Sequence, residues 1–252
     1  MGTALITGAS SGLGLEFAWQ LAAARHNLVL VARDEERLNS VAERIRAVAG
    51  VGVEVLPADL ARRDQVDRVA DRLGQSARPV GLLVNDAGFG GSAGFFELPL
   101  AESERALDVM VRAVMVLSHA AGEAMMERGR GAICNISSVA AYMASGTYAA
   151  AKAWVLAFTE SLSVALSGTG VTATAVLPGL TRTEFHERAQ LDYGHYPDVA
   201  WLDPATVVTQ ALADVRRGIV VSTPSARYGV LGQIARHVPR WLIRALSGPS
   251  GR

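Results

Sequence analysis

Short, largely apolar runs alternate along the chain with longer stretches in which apolar residues recur every three or four positions. The short runs fall at residues 4–6, 28–31, 53–56, 82–84, 132–136, 171–177 and 219–222. Runs of this kind predict strands buried on both faces, as in a parallel sheet covered by helices. The periodic stretches fall at residues 12–24, 35–48, 62–73, about 102–127, 148–166 and 206–216; the first sets Leu13, Phe17 and Leu21 on one face. Regular alternation of the two patterns predicts right-handed βαβ units. The expected fold is α/β: a doubly wound, seven-stranded parallel sheet flanked by helices on both faces. No linker, repeat or low-complexity segment divides the 252 residues, so a single domain is expected.

Two regions break the pattern. Residues 182–202 are polar and aromatic, with His186, Tyr193, His195, Tyr196 and Trp201, and they follow a strand's carboxyl end. An open α/β sheet binds its ligand there, so this stretch reads as a substrate lid in preference to a plain surface loop. From Val215 onward there is no Asp or Glu, while seven arginines interleave with Leu231, Ile234, Val238, Trp241, Leu242 and Leu246. This tail, residues 225–252, reads as a basic amphipathic helix on a membrane, or as a cover for the substrate pocket or a subunit interface. Gly229, Gly232 and Pro239 interrupt the helical pattern and weigh against the membrane.

Half of the residues are hydrophobic and the formal net charge is zero. Such a balance disfavours nucleic acid as a partner. Cys134 is the only cysteine and lies in a strand pattern, so it reads as core, and a reducing, cytoplasmic compartment fits. No basic segment precedes the first apolar run, and no uncharged run reaches the roughly 18 residues of a membrane span. His119, His186 and His195 show no metal-ligand spacing, so no metal is expected.

The first strand runs into Thr7-Gly8-Ala9-Ser10-Ser11-Gly12-Leu13-Gly14 and then a helix. Glycines there let the backbone turn sharply and approach a pyrophosphate at the helix N-terminus. The second strand ends Ala32-Arg33-Asp34. NAD-binding chains place an acid at that strand end, whereas NADP-binding chains supply a cation for the 2′-phosphate. Ala32 stands where the acid is expected and Arg33 follows, which favours NADP(H) over NAD(H). Ser10 or Ser11 adds a hydroxyl. Asp34 reads as the N-cap of the next helix.

One compositional detail marks the other end of the site. Of 24 basic residues only Lys152 is a lysine, so the other 23 are arginines. It stands four residues after Tyr148, and residues four apart share a helix face.

These ordered motifs resemble the short-chain dehydrogenase/reductase family, in its members of roughly 250 residues, over residues 3–224. The set is the Thr7–Gly14 turn, Asp59-Leu60, Asn85-Asp86-Ala87-Gly88, Ser138, Tyr148 with Lys152, and Pro178-Gly179 with Thr183. The resemblance implies a Rossmann fold and an NADP(H)-dependent oxidoreductase that passes a hydride between nicotinamide and a carbonyl or secondary alcohol. By resemblance Asp59 and Leu60 meet the adenine, Asn85, Ala87 and Gly88 line the cofactor, and Pro178, Gly179 and Thr183 hold the nicotinamide end. Tyr148 is then the general acid/base, Lys152 lowers its pKa and binds the nicotinamide ribose, and Ser138 polarises the carbonyl. Ser137 is its rival for that role.

Two positions depart from the family pattern. Asp86 replaces a usual Asn, and Met110 stands where a catalytic Asn usually helps hold a relay water. Candidate substrate contacts are Phe89, Met143, Leu180, Phe185, Tyr193, Tyr196 and Trp201, a set that suits an apolar, greasy or ring-bearing ketone. Family members pair the helix near 102–127 and the Tyr148 helix across subunits, which implies a homodimer or homotetramer. Two rival readings remain open: an NADP(H) sensor or scaffold with little turnover, motivated by Met110, and a membrane-associated lipid or ketoacyl reductase, motivated by the tail.

Overall fold

The computed structural model describes residues 2–90, 95–185 and 197–246. Seven parallel strands form one sheet in the order β3-β2-β1-β4-β5-β6-β7. They are β1 (Thr3–Thr7), β2 (Asn27–Ala32), β3 (Val53–Pro57), β4 (Leu82–Asn85), β5 (Gly131–Ile136), β6 (Val171–Val176) and β7 (Val221–Ser222). The order reverses between β1 and β4, so a ligand-binding crevice opens at their carboxyl ends.

Side chains on a strand alternate between faces, and the two faces carry separate cores. Ala4, Ile6, Leu28, Leu30, Leu82, Val84, Cys134 and Ile136 join one core. Helices α1 (Gly12–Ala23), α2 (Glu35–Ala49) and α7 (Pro204–Arg216) cover it, with Phe17, Leu38, Ile45 and Val208 inserted. Leu5, Val29, Val31, Leu83 and Ile133 join the other, beneath α3 (Arg63–Gly74), α4 (Leu100–Leu107), α5 (Ala113–Glu127) and α6 (Gly146–Ala165). Phe17 is fully buried, and truncating a side chain of that size in a core costs about 3–5 kcal/mol.

Asp34 caps α2 as expected, accepting a hydrogen bond from the Arg37 N–H at 2.9 Å. The long helix near 102–127 begins earlier, at Leu100, and carries a π-helical turn at Asp108–Arg112 that hydrophobic periodicity does not reveal. By length and composition this helix could cross a membrane, but Val109, Met110, Leu117 and Met125 bury it in the second core. The last strand is shorter than expected, because only Val221 and Ser222 pair with β6.

The tail departs most from expectation. It forms two helices, α8 (Ala226–His237) and α9 (Arg240–Leu246), broken around Pro239, in place of one amphipathic helix. Ile243 is buried, Arg236 pairs with Glu160 at 3.2 Å, and Arg240 donates to the Tyr142 carbonyl at 3.2 Å. Leu231, Ile234 and Trp241 face outward. Apolar residues therefore divide between the body of the protein and the surface.

Candidate active site

At the phosphate end, Gly8 and Gly12 have φ of +72° and +55°, a region open to glycine at little cost. A Cβ at Gly14 would stand 2.4 Å from the Gly8 carbonyl oxygen, so any side chain there would force the turn open. Ser11 is the N-cap of α1 and Leu13 packs on the first core. The first amides of α1 therefore point into the crevice, which suits a pyrophosphate. Ser10 is half-buried in the same turn.

The adenosine end contains Arg33, which is exposed and has no ion pair among the described residues. Arg37, in the first turn of α2, is a second guanidinium on this side; its partner is Glu184 at 2.5 Å. Sequence reasoning missed Arg37, although its spacing from Arg33 was a signal. Asp59 accepts from Arg105 at 3.2 Å and from the Ala61 N–H at 3.1 Å, so its carboxylate is fixed before any adenine arrives. The Leu60 side chain is buried in the second core.

Beyond β4, one hydroxyl organises the chain. Thr7 Oγ1 accepts from the Asp86 and Ala87 N–H groups at 3.0 and 3.1 Å, holding this segment against the glycine turn. The Asn85 side chain turns inward. Its amide donates to Ser118 Oγ at 3.3 Å and to Asn135 Oδ1 at 2.9 Å, and Asn135 donates to Thr159 at 3.0 Å. This buried chain ties β4, α5, β5 and α6 together.

Asp86 is half-buried, with its carboxylate turned between Gly8 and Gly14. Burial pushes its carboxyl up to about 6, against the opposing pull of Lys152 and a hydrogen bond from the Gly14 N–H.

At the chemical end, Tyr148 lies in the first turn of α6 and Lys152 one turn on. Lys152 is buried, donates to the Ile136 carbonyl at 2.8 Å, and lies 5.6 Å from the centroid of the Tyr148 ring. Burial lowers the ammonium to about 8, while Asp86 acts to raise it. A Cβ at Gly88 would stand 3.4 Å from the Met110 sulfur and 3.6 Å from Lys152 Nζ. Met110, in the π turn, and Lys152 thus both border Gly88, and a thioether is only a weak acceptor.

The two serines differ. Ser137 is buried and donates its hydroxyl to the Lys152 carbonyl at 2.7 Å. The Ser138 oxygen accepts from the Ala140 N–H at 3.1 Å, which leaves the hydroxyl proton available. The accessible serine is Ser138, the one expected.

The far wall follows β6. The Pro178 carbonyl accepts from the Val139 N–H at 3.1 Å, and Thr183 packs over Gly12. The described ends of the 182–202 stretch lie together, with Leu202 N–H to Leu180 carbonyl at 2.7 Å and Arg182 N–H to Leu202 carbonyl at 3.0 Å. Phe185 reaches Tyr148, with ring centroids 5.6 Å apart. Trp201 instead packs under the Arg182 guanidinium at 5.6 Å. Phe89 packs on the second core and Met143 is exposed. Tyr193, Tyr196, His186 and His195 lie outside the described residues.

The tail contributes a residue not expected from sequence. The Tyr228 ring lies 2.2 Å from where a Cβ at Gly179 would stand, and its hydroxyl donates to the Ala200 carbonyl at 2.9 Å. Tyr228 thus joins α8 to Gly179 and to Ala200. Cys134 is buried core, and burial pushes its thiol up. No group of metal ligands occurs among the described residues.

A glycine turn without space for side chains, amides at a helix start, an exposed arginine and a buried lysine line one crevice. These residues fit a nicotinamide dinucleotide.

Comparison with known proteins agrees. The profile of a family described as short chain dehydrogenase matches residues 2–194. Sulfoacetaldehyde reductase 2 of Chromohalobacter salexigens is 38% identical over 186 residues, 72% of this chain and 73% of that protein. A short-chain dehydrogenase from Sphingobium yanoikuyae in complex with NADPH superposes with a TM-score of 0.86 at 37% identity, covering 94% of each chain. A bulky-bulky ketone specific alcohol dehydrogenase from Comamonas testosteroni superposes with a TM-score of 0.81 at 31% identity, covering 95% of this chain and 96% of that one.

Proposed function

The chain belongs to the short chain dehydrogenase family, and we propose that it transfers a hydride between NADP(H) and a bulky, apolar ketone or the matching secondary alcohol. The observation that carries this reading is the buried Lys152 behind Tyr148, with Ser137 occupied internally and Ser138 left available. When bound, NADPH supplies the hydride.

Tyr148 gives a proton to the carbonyl oxygen, or takes it back in the oxidative direction. A free phenol titrates near 10, and lowering that by about 2 to 3 units needs roughly 3–4 kcal/mol. The Lys152 ammonium favours the phenolate from 5.6 Å away. With its own value near 8, it is mostly charged at neutral pH. Ser138 donates its hydroxyl proton to the same oxygen and aligns it.

Arg33, and the lack of an acid at Ala32, support NADP(H) over NAD(H). Phe185 supplies apolar surface beside Tyr148, in keeping with the bulky-ketone relative. Exposed Met115, Met126 and Val164 on α5 and α6 fit pairing with a second copy.

NADPH oxidation measured across a panel of small, bulky and charged ketones tests the reading. Turnover is expected with bulky ketones, faster with NADPH than with NADH, and lost in Tyr148→Phe. Binding of NADPH without turnover across the panel would favour the sensor reading that Met110 suggests.

A further inference from the structure

Three consecutive residues at the start of the lid touch three parts of the cofactor crevice. The Thr183 side chain lies 3.7 Å from where a Cβ at Gly12 would stand. Glu184 Oε1 lies 2.5 Å from Arg37 Nη2. Phe185 lies against Tyr148. Arg37 belongs to the opposite lip, in the first turn of α2, just past the end of β2 where a dinucleotide places its adenosine 2′ substituent. The Arg37–Glu184 pair therefore runs across the adenosine end of the crevice.

We propose that Glu184 is a specificity-determining residue: in the free protein it holds Arg37, and the 2′-phosphate of NADP(H) takes Arg37 from it. The proposal rests on the assignment of a nicotinamide cofactor above and adds the residue that competes with it. The exchange is chemically favourable in one direction only. The two side chains are 37% and 42% exposed, so water screens their attraction and the pair is weak. A phosphate presents more charge and can take both arms of the guanidinium fork in charge-assisted bonds. NAD(H) has a hydroxyl at this place and no charge to offer. Arg33, on the same lip, adds to the pull on the phosphate.

The test is titration of NADPH and NADH into the full chain, followed by quenching of tryptophan fluorescence. The proteins are the parent, Glu184→Gln, Arg37→Gln and the double variant. Glu184→Gln is expected to bind NADPH about three- to fivefold more tightly, the range of an exposed ion pair, with NADH unchanged within about twofold. Arg37→Gln is expected to weaken NADPH by about tenfold or more and to leave NADH unchanged. In the Arg37→Gln background the gain from Glu184→Gln should disappear.

Equal gains for NADPH and NADH in Glu184→Gln, no gain for either, or a gain that persists without Arg37 would each overturn the competition. A parent that binds neither dinucleotide would overturn the cofactor assignment itself, and the proposal with it. A parent that binds both, with the ratio unaltered in Glu184→Gln but lowered in Arg37→Gln, would overturn only the role of Glu184.

Discussion

Replacing Asp86 with Asn should stabilise the cofactor-free protein, and only above a certain pH. The Asp86 carboxyl is turned between Gly8 and Gly14, and burial raises it from 3.8 to about 6. A carboxyl whose folded value is raised binds its proton more tightly in the native state. Its favourable contribution is therefore fully present below the unfolded value and is lost as pH rises through about 6. A shift of this size corresponds to roughly 3 kcal/mol of ionisation cost at neutral pH, an upper value because water still reaches the crevice.

An amide keeps an acceptor for the Gly14 N–H and carries no charge, so it escapes that cost. The expected gain is up to about 3 kcal/mol at pH 7.5, about half of that at pH 5, about 0.5 kcal/mol at pH 4 and close to zero at pH 3. Urea unfolding of parent and variant at these pH values measures it directly. A variant no more stable than the parent at pH 7.5, or stabilised equally at every pH, would refute the reasoning. The same substitution removes the carboxylate that raises Lys152, so the ammonium should lose its proton below about 8 and the alkaline limb of the activity profile should move down.

Two further substitutions probe the chemical end. Lys152→Arg keeps the charge and should lower kcat/KM by about 100-fold or more, because a buried planar fork cannot reproduce the single contact to the Ile136 carbonyl; near-parental steady-state rates would contradict this. Met110→Asn places an amide beside Lys152 at a buried position. It should cost about 1–3 kcal/mol in urea unfolding for any amide group left unpaired, and raise turnover several-fold if a proton path is what Met110 blocks. An unchanged rate and pH profile would show that Met110 is not the limitation.

The sheet was legible because both of its faces are buried. Strands such as Val29 to Val31 have apolar residues on every position, and helices such as α2 announce themselves through Asp34, Glu35 and Gly50. The phosphate turn was legible because it needs glycines for steric reasons. The serine question depended on where two adjacent hydroxyls point, and only the contact from Ser137 to the Lys152 carbonyl separates them. The π turn around Met110 and the packing of Tyr228 on Gly179 leave no periodic trace. One depends on a single extra residue in a helical turn and the other on a contact between distant segments. The sequence left the tail open between two readings for a related reason. Its composition is amphipathic, but Pro239 breaks it, and several of its arginines hold carbonyls or Glu160 of the body.

The arginine-for-lysine bias of the chain gains a physical meaning from these contacts. Where a guanidinium is buried it has several acceptors to reach: Arg72 binds Glu54 and the Arg78 carbonyl together. At position 152 the side chain has the Ile136 carbonyl as its hydrogen-bond acceptor, and the Asp86 charge acts on it. The space beside Lys152 Nζ depends on Gly88 having no side chain, since a Cβ there would already stand 3.6 Å away. A compact ammonium fits this place with one strong internal bond and donors to spare for a ribose hydroxyl. A guanidinium would bury several N–H groups with too few acceptors, at about 1–3 kcal/mol for each one left unpaired. The single internal acceptor beside Lys152 is therefore a reason for a lysine at this one position.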